Sequence, residues 1–200
     1  MGLDIYFYKV KTQGVETTDI EELETIRKEN RLSKQMPQYV LSEIKQILGA
    51  DLNDDKRGRI IELIDPYVRY GFERRELKEC EVKRVEYWVN EILDSFSTSE
   101  DMYFRKVNFL YAYFADRLEK EQCIVTLDDC QKIIKYAETI LETRDTDIAE
   151  KLLPTQSGFF FGSTAYDDYY FEDVRDVLEQ FSEYIEDWTD DTIGWVYFSW

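Results

Sequence analysis

The sequence predicts an α+β fold, mainly α, in which a helical domain carries a small sheet made from the two ends of the chain. Three observations predict it. Residues 3–10 alternate Leu3, Ile5 and Phe7 with Asp4, Tyr6 and Tyr8, the period-two pattern of a half-buried strand. Residues 193–200 are β-rich and uncharged, and pairing with residues 3–10 would account for such an apolar end. Between them, apolar residues recur mostly at steps of three and four.

After the first strand, Thr18 and Glu21 have capping-box spacing ahead of Ile20, Leu23 and Ile26. Leu41, Ile44, Ile47 and Leu48 share one face of a second helix that ends at Gly49. A third runs from about Asp54 to Leu63 and stops near Pro66. Val82, Val85, Trp88, Val89 and Ile92 predict three further turns, and residues 104–120 read as a stronger helix. Ile124 and Val125 form a short extended link, followed by a capping box at Thr126 and Asp129. Residues 148–153 read as a turn before Pro154. Thr164 and Asp167 then form a third box, opening a helix to about Asp187.

The chain has 200 residues, 44% of them hydrophobic, enough for one acidic domain over residues 1–200 with its own core. Its net charge is -18. Fifteen acidic and three basic residues lie in 141–191, so the excess is concentrated in the C-terminal third. Such a field opposes direct binding to nucleic acid or to an anionic membrane. Cys80, Cys123 and Cys130 are odd in number and have no CxxC spacing. No signal peptide, Gly2 myristoylation pattern or apolar span is visible, so a cytoplasmic setting with buried thiols is expected. Histidine is absent, which removes His-type zinc sites, Ser-His-Asp and Cys-His nucleophile pairs and HExxH hydrolysis.

The least ordinary segment is 154–173. Gly158 and Gly162 bracket three phenylalanines, and Ser157, Ser163 and Thr164 place hydroxyls just before a helix, a natural anion position. The phosphate-loop pattern fails on spacing and on its missing Lys, and Asp167, Asp168, Glu172 and Asp173 stand nearby. The plainer reading makes this a turn whose phenylalanines fill the core while the hydroxyls cap the helix. The candidate binding residues are Ser157, Ser163, Thr164, Tyr166, Asp167 and Asp168.

A second candidate is a carboxylate row on the last helix. Asp168, Glu172, Asp176 (beside Arg175), Glu179, Glu183, Glu186 and Asp187 recur at steps of three and four. The row could imitate nucleic-acid phosphates before a basic groove, or be the polar face of an amphipathic helix. Asp51, Asn53, Asp55 and Glu62 sit at calcium-loop positions, but Lys56 and Arg57 spoil the loop and favour simple helix capping. Lys56, Arg57, Arg59, Arg69, Arg74, Arg75, Lys78, Lys83 and Arg84 are interrupted by acids and read as a salt-laced surface. No metal or cofactor is expected.

Three stretches together resemble an uncharacterised family encoded mainly by bacteriophages and prophages. They are Met1-Gly2-Leu3-Asp4-Ile5-Tyr6, Tyr103-Phe104-Arg105-Lys106-Val107-Asn108, and the run from Leu153-Pro154-Thr155-Gln156-Ser157-Gly158 through Phe159-Phe160-Phe161-Gly162-Ser163-Thr164-Ala165-Tyr166-Asp167. In that family's pattern a His and an aromatic follow the Asn, whereas this chain continues Phe109-Leu110-Tyr111. The resemblance implies a phage or mobile-element origin and no known activity. With the acidity, it makes a non-catalytic protein binding a host or phage protein the expected function, an anti-defence or DNA-mimic-like inhibitor being one form. The alternative is a small enzyme or ligand-binding protein with its pocket at 154–173.

Overall fold

Both ends of the chain meet in one sheet, as their patterns predict. The computed structural model of the protein describes residues 2–67, 72–95 and 99–200, without the side chains of residues 72–74, 76 and 95. Met1 and Arg69, named above, lie outside the described residues, as does the Arg74 side chain. The elements in order are β1 (Asp4–Lys11), α1 (Ile20–Gln35), α2 (Gln38–Leu48), α3 (Asp54–Ile64), α4 (Phe72–Glu79) and α5 (Val85–Ser95). There follow β2 (Met102–Arg105), α6 (Asn108–Phe114), β3 (Gln122–Val125), α7 (Leu127–Thr143), α8 (Thr146–Leu152), α9 (Asp168–Ile185) and β4 (Thr192–Ser199). Helices predominate, and the fold is α+β, mainly α.

The chain divides into two compact units, Met1–Leu23 with Glu100–Trp200 and Glu24–Ser99. In the first, four antiparallel strands take the order β2-β1-β4-β3. Tyr6 lies opposite Tyr103 and Tyr197, and Phe7 opposite Met102 and Val196. This register puts Ile5, Phe7, Phe104, Val196 and Phe198 on one face, all buried in the core shared with α6, α7 and α9. Phe7 meets Phe181 edge-on at 5.2 Å and Phe104 at 6.1 Å. A buried Phe contributes about 1.5–3 kcal/mol relative to an exposed one, so this aromatic knot is a main source of the unit's stability.

The second unit is helical, with a core drawn from α1 to α5 that includes Ile44, Ile60, Val85 and Val89. Asn53 caps α3 by accepting the Lys56 amide (2.9 Å), and the Lys56 ammonium bonds the Asp51 carbonyl. The calcium-like spacing is therefore a helix cap. Arg59 holds Glu43 through two nitrogens at 2.7 and 3.2 Å, Lys78 pairs with Asp65 and Lys83 with Glu81. These cations form a salt-laced surface. Cys80, Cys123 and Cys130 are buried free thiols, and burial pushes Cys123 up to about 11 and Cys130 up to about 12.

Several elements differ from expectation. Residues 104–120 are not one helix: β2 ends at Arg105, Lys106 turns with φ 62°, α6 follows, and Ala115–Arg117 is a 3₁₀ turn. The reason is pairing, since Met102 and Phe104 alternate inward against β1 and the Lys106 amide donates to the Leu3 carbonyl at 2.7 Å. Residues 148–153 are mostly helix, α8, which Asp145 caps through the Asp147 and Ile148 amides. Asp19, one position after Thr18, accepts the Glu21 amide at 2.9 Å. Among the described residues no helix is long and apolar enough to cross a membrane.

Candidate functional site

Residues 2–6, 103–108 and 153–167 converge in space, beginning with Asn108. It opens α6 and is 3% exposed. Its amide nitrogen donates to the carbonyls of Ser163 (2.8 Å) and Phe161 (3.2 Å), while its oxygen accepts the Gln156 amide (3.3 Å). One buried side chain thus grips the 154–167 loop on both sides of its tip. The Leu3 amide adds a bond to the Phe160 carbonyl at 3.0 Å. Further on, the Thr155 amide donates to the Tyr166 hydroxyl (3.2 Å) and the Thr155 hydroxyl to the Thr164 carbonyl (3.1 Å). Such satisfaction of buried polar groups fixes a loop that lacks regular structure.

Each bracketing glycine has its own reason. A Cβ on Gly158 would fall 2.6 Å from the Phe161 ring, so only glycine lets that ring fold back beneath it. Gly162 has φ +92°, a conformation L side chains rarely adopt, and packs against the Lys106 stem. The three phenylalanines separate accordingly. Phe161 is buried, 4.7 Å from Tyr111 and 5.8 Å from Trp200. Phe160 is half-buried, and Phe159 is 95% exposed, resting edge-on against Phe160 at 4.7 Å. The plainer reading, with all three rings in the core, is therefore corrected: one fills the core and one projects into solvent.

The cap also moves. Thr164 does not cap α9; Asp167 does, its carboxylate accepting the Tyr169 (3.1 Å) and Tyr170 (3.2 Å) amides. Asp wins because its oxygen sits at the N-cap, directly before the first helical residue. The Ser163 hydroxyl accepts the Ala165 amide at 3.1 Å. Ser157 and Thr164 are exposed, and Tyr166 packs on Tyr170 at 4.9 Å. The Tyr170 hydroxyl donates to the Leu153 carbonyl at 2.9 Å, and burial pushes its phenol up. Asp168 is exposed and pairs with Arg144 at 3.1 Å.

The carboxylate row runs along α9, with Glu186 at its C-cap and Asp187 just beyond. Glu172, Asp176, Glu179, Glu183, Glu186 and Asp187 are all exposed, while Tyr170, Val174, Val177, Phe181 and Tyr184 on the other side are buried. Asp187 pairs with Lys9, whose hydrogen bond draws its carboxyl below the usual range. Among the described residues, no cation pairs with Glu172, Asp176, Glu179, Glu183 or Glu186. Asp173, on the margin of the row, is half-buried, and its carboxyl is pushed up to about 6 by burial first and then by Asp176, Glu172 and Asp167. A cleft of about 300 Å³ opens near the far end of the helix, lined by Lys9, Asp101, Met102, Gln180, Glu183 and Tyr184.

Among the described residues no group of His, Cys, Asp and Glu is arranged to hold a metal ion. The clamp Asn108 is a contribution that residue-by-residue reading of the sequence missed. The available signal was a polar residue inside the run Val107-Asn108-Phe109-Leu110, where its neighbours are all apolar. No family model, curated protein or solved structure matches the chain. Fold and surface define it as a mainly helical α+β protein with a clamped aromatic loop and an anionic helix face.

Proposed function

We propose that this chain is a non-catalytic interaction protein of phage or mobile-element origin, acting in the host cytoplasm by binding a basic surface of a host or phage protein. The observation that carries the reading is the row of five exposed, unpaired carboxylates, four on α9 and the fifth, Glu186, at its C-cap. Unpaired charges on a rigid helix speed encounter with an opposite field and suppress wrong partners. Phe159 supports the same reading, because an exposed aromatic ring offers a partner apolar surface to bury. A basic groove that normally takes nucleic acid fits the sign of the row, which makes a DNA-mimic inhibitor the specific form proposed.

Affinity capture from host lysate at low and high salt tests this. A partner retained at low salt, released by added polyanion, and weakened by Glu179→Gln with Glu183→Gln is the expected result. Retention that ignores salt and both substitutions would count against the α9 surface, and no retained partner at low salt would count against the whole reading.

A further inference from the structure

The chain carries an excess of acid, yet two cations stand side by side at the foot of the 154–167 loop. A Cβ placed on Gly2 would lie 3.3 Å from Lys106 Cε and 3.4 Å from Arg105 Nη2. Both cationic side chains therefore pass over one glycine. The Lys106 stem also lies against Gly162, where an added Cβ would sit 3.4 Å from Lys106 Cβ and 3.7 Å from its Cδ. Lys106 holds φ 62°, an uncommon conformation for a residue other than glycine, which aims its side chain at this spot. Arg105 has one carboxylate nearby, Asp4 at 3.9 Å; among the described residues, no acid pairs with Lys106.

From this juxtaposition we infer that Arg105, Lys106 and the 158–164 loop form a binding site for a phosphate-sized oxyanion. The planar Arg fork beside a Lys point charge is a combination that recognises tetrahedral oxyanions. The loop supplies neutral donors: Thr164 in the loop and Ser157 just before it are exposed, and the Gly162 amide lies outside any helix or strand. The acids that would repel an anion are partly engaged, since Asp167 caps α9 and Asp168 pairs with Arg144. The site stands apart from the α9 carboxylate row, and neither requires the other.

Titration of the full ¹⁵N-labelled chain with inorganic phosphate, at ionic strength held constant with sodium chloride, tests the site. Saturable shifts centred on the amides of Gly2, Arg105, Lys106 and residues 158–164 are expected. Arg105→Gln and Lys106→Asn should each weaken binding about tenfold, the loss of one charge-assisted hydrogen bond. Asn takes the left-handed conformation readily, so Lys106→Asn removes the charge without adding strain. Lys132→Gln, an exposed cation paired with Asp128 on α7, should bind as the parent does. An arm with adenosine monophosphate separates the two sources of the anion. Equal affinity indicates free phosphate, while tighter binding with added shifts at the Phe159 and Phe160 amides indicates an organic phosphate. No saturable response, or equal affinity in the parent, Arg105→Gln and Lys106→Asn proteins, overturns the site.

Discussion

Asn108 holds the loop with three hydrogen bonds from a position that is almost fully buried. Asn108→Ala would leave two carbonyls and an amide short of partners, and should destabilise the protein by about 2–4 kcal/mol in denaturant unfolding. A loss under about 1 kcal/mol would mean that the loop is held by something else. Asp173 gives a prediction of opposite sign. Its carboxyl is raised to about 6, chiefly by burial, so the folded state holds the proton more tightly than the unfolded chain does. At pH below the ordinary Asp range both states are protonated and the group costs nothing. As pH rises toward 6 the unfolded chain ionises first, and the full cost applies above that value. Asp173→Asn should therefore add about 1–2 kcal/mol near pH 7, after discounting for partial exposure, and nothing near pH 3. Unfolding curves at both pH values check it, and an equal gain at the two would remove the titration explanation. The glycines at 158 and 162 were legible because their roles are local. Asn108 was not, because its partners lie some fifty residues away.

The helix α7 shows what a cap contributes. Thr126 and Asp129 satisfy each other's backbone amides, at 3.1 and 2.9 Å, and Asp129 also receives two nitrogens of Arg117 at 3.0 Å. Burial alone would push the Asp129 carboxyl up, but the bonds from Arg117 and Thr126 outweigh it and leave the group below its ordinary range. Thr126→Ala should cost about 1 kcal/mol, seen as a lower midpoint in thermal or urea unfolding with the helix content kept. Asp129→Ala should cost more, since it strands Arg117 as well as the cap. A Thr126 variant as stable as the parent would show the cap to be redundant with the Arg117 bonds. Helix α7 was readable because cap and apolar stripe agree, and α9 because its apolar stripe is long even though its cap was misplaced. β2 was misread because Phe104 and Val107 also fit a helical step, and only its partner β1 decides between the two periods. Likewise the choice of Asp167 over Thr164 as cap turns on three residues of backbone geometry that spacing alone does not fix.

The charge distribution and the topology set the protein's larger behaviour. Net charge and its concentration in 141–191 were fully present in the sequence, as was the pairing of the two end strands. The division into two units was not, because residues 24–99 and 100–200 show the same mixture of helical patterns and no linker composition marks the boundary. Strand β4 is the partner of both β1 and β3. Deleting residues 192–200 should therefore abolish cooperative unfolding of the Met1–Leu23 and Glu100–Trp200 unit, read as loss of its dispersed methyl and amide resonances. Retention of a native-like spectrum would show that β1 and β2 suffice. The same topology has a consequence in time. Strand β1 has neighbours that arrive roughly one hundred and one hundred and ninety residues later. At about 5–20 residues per second of synthesis, β1 waits on the order of ten seconds or more with its apolar face and hydrogen-bonding edges unanswered. During that interval the nascent chain offers chaperones an adhesive segment, which is fully covered only once β4 is available.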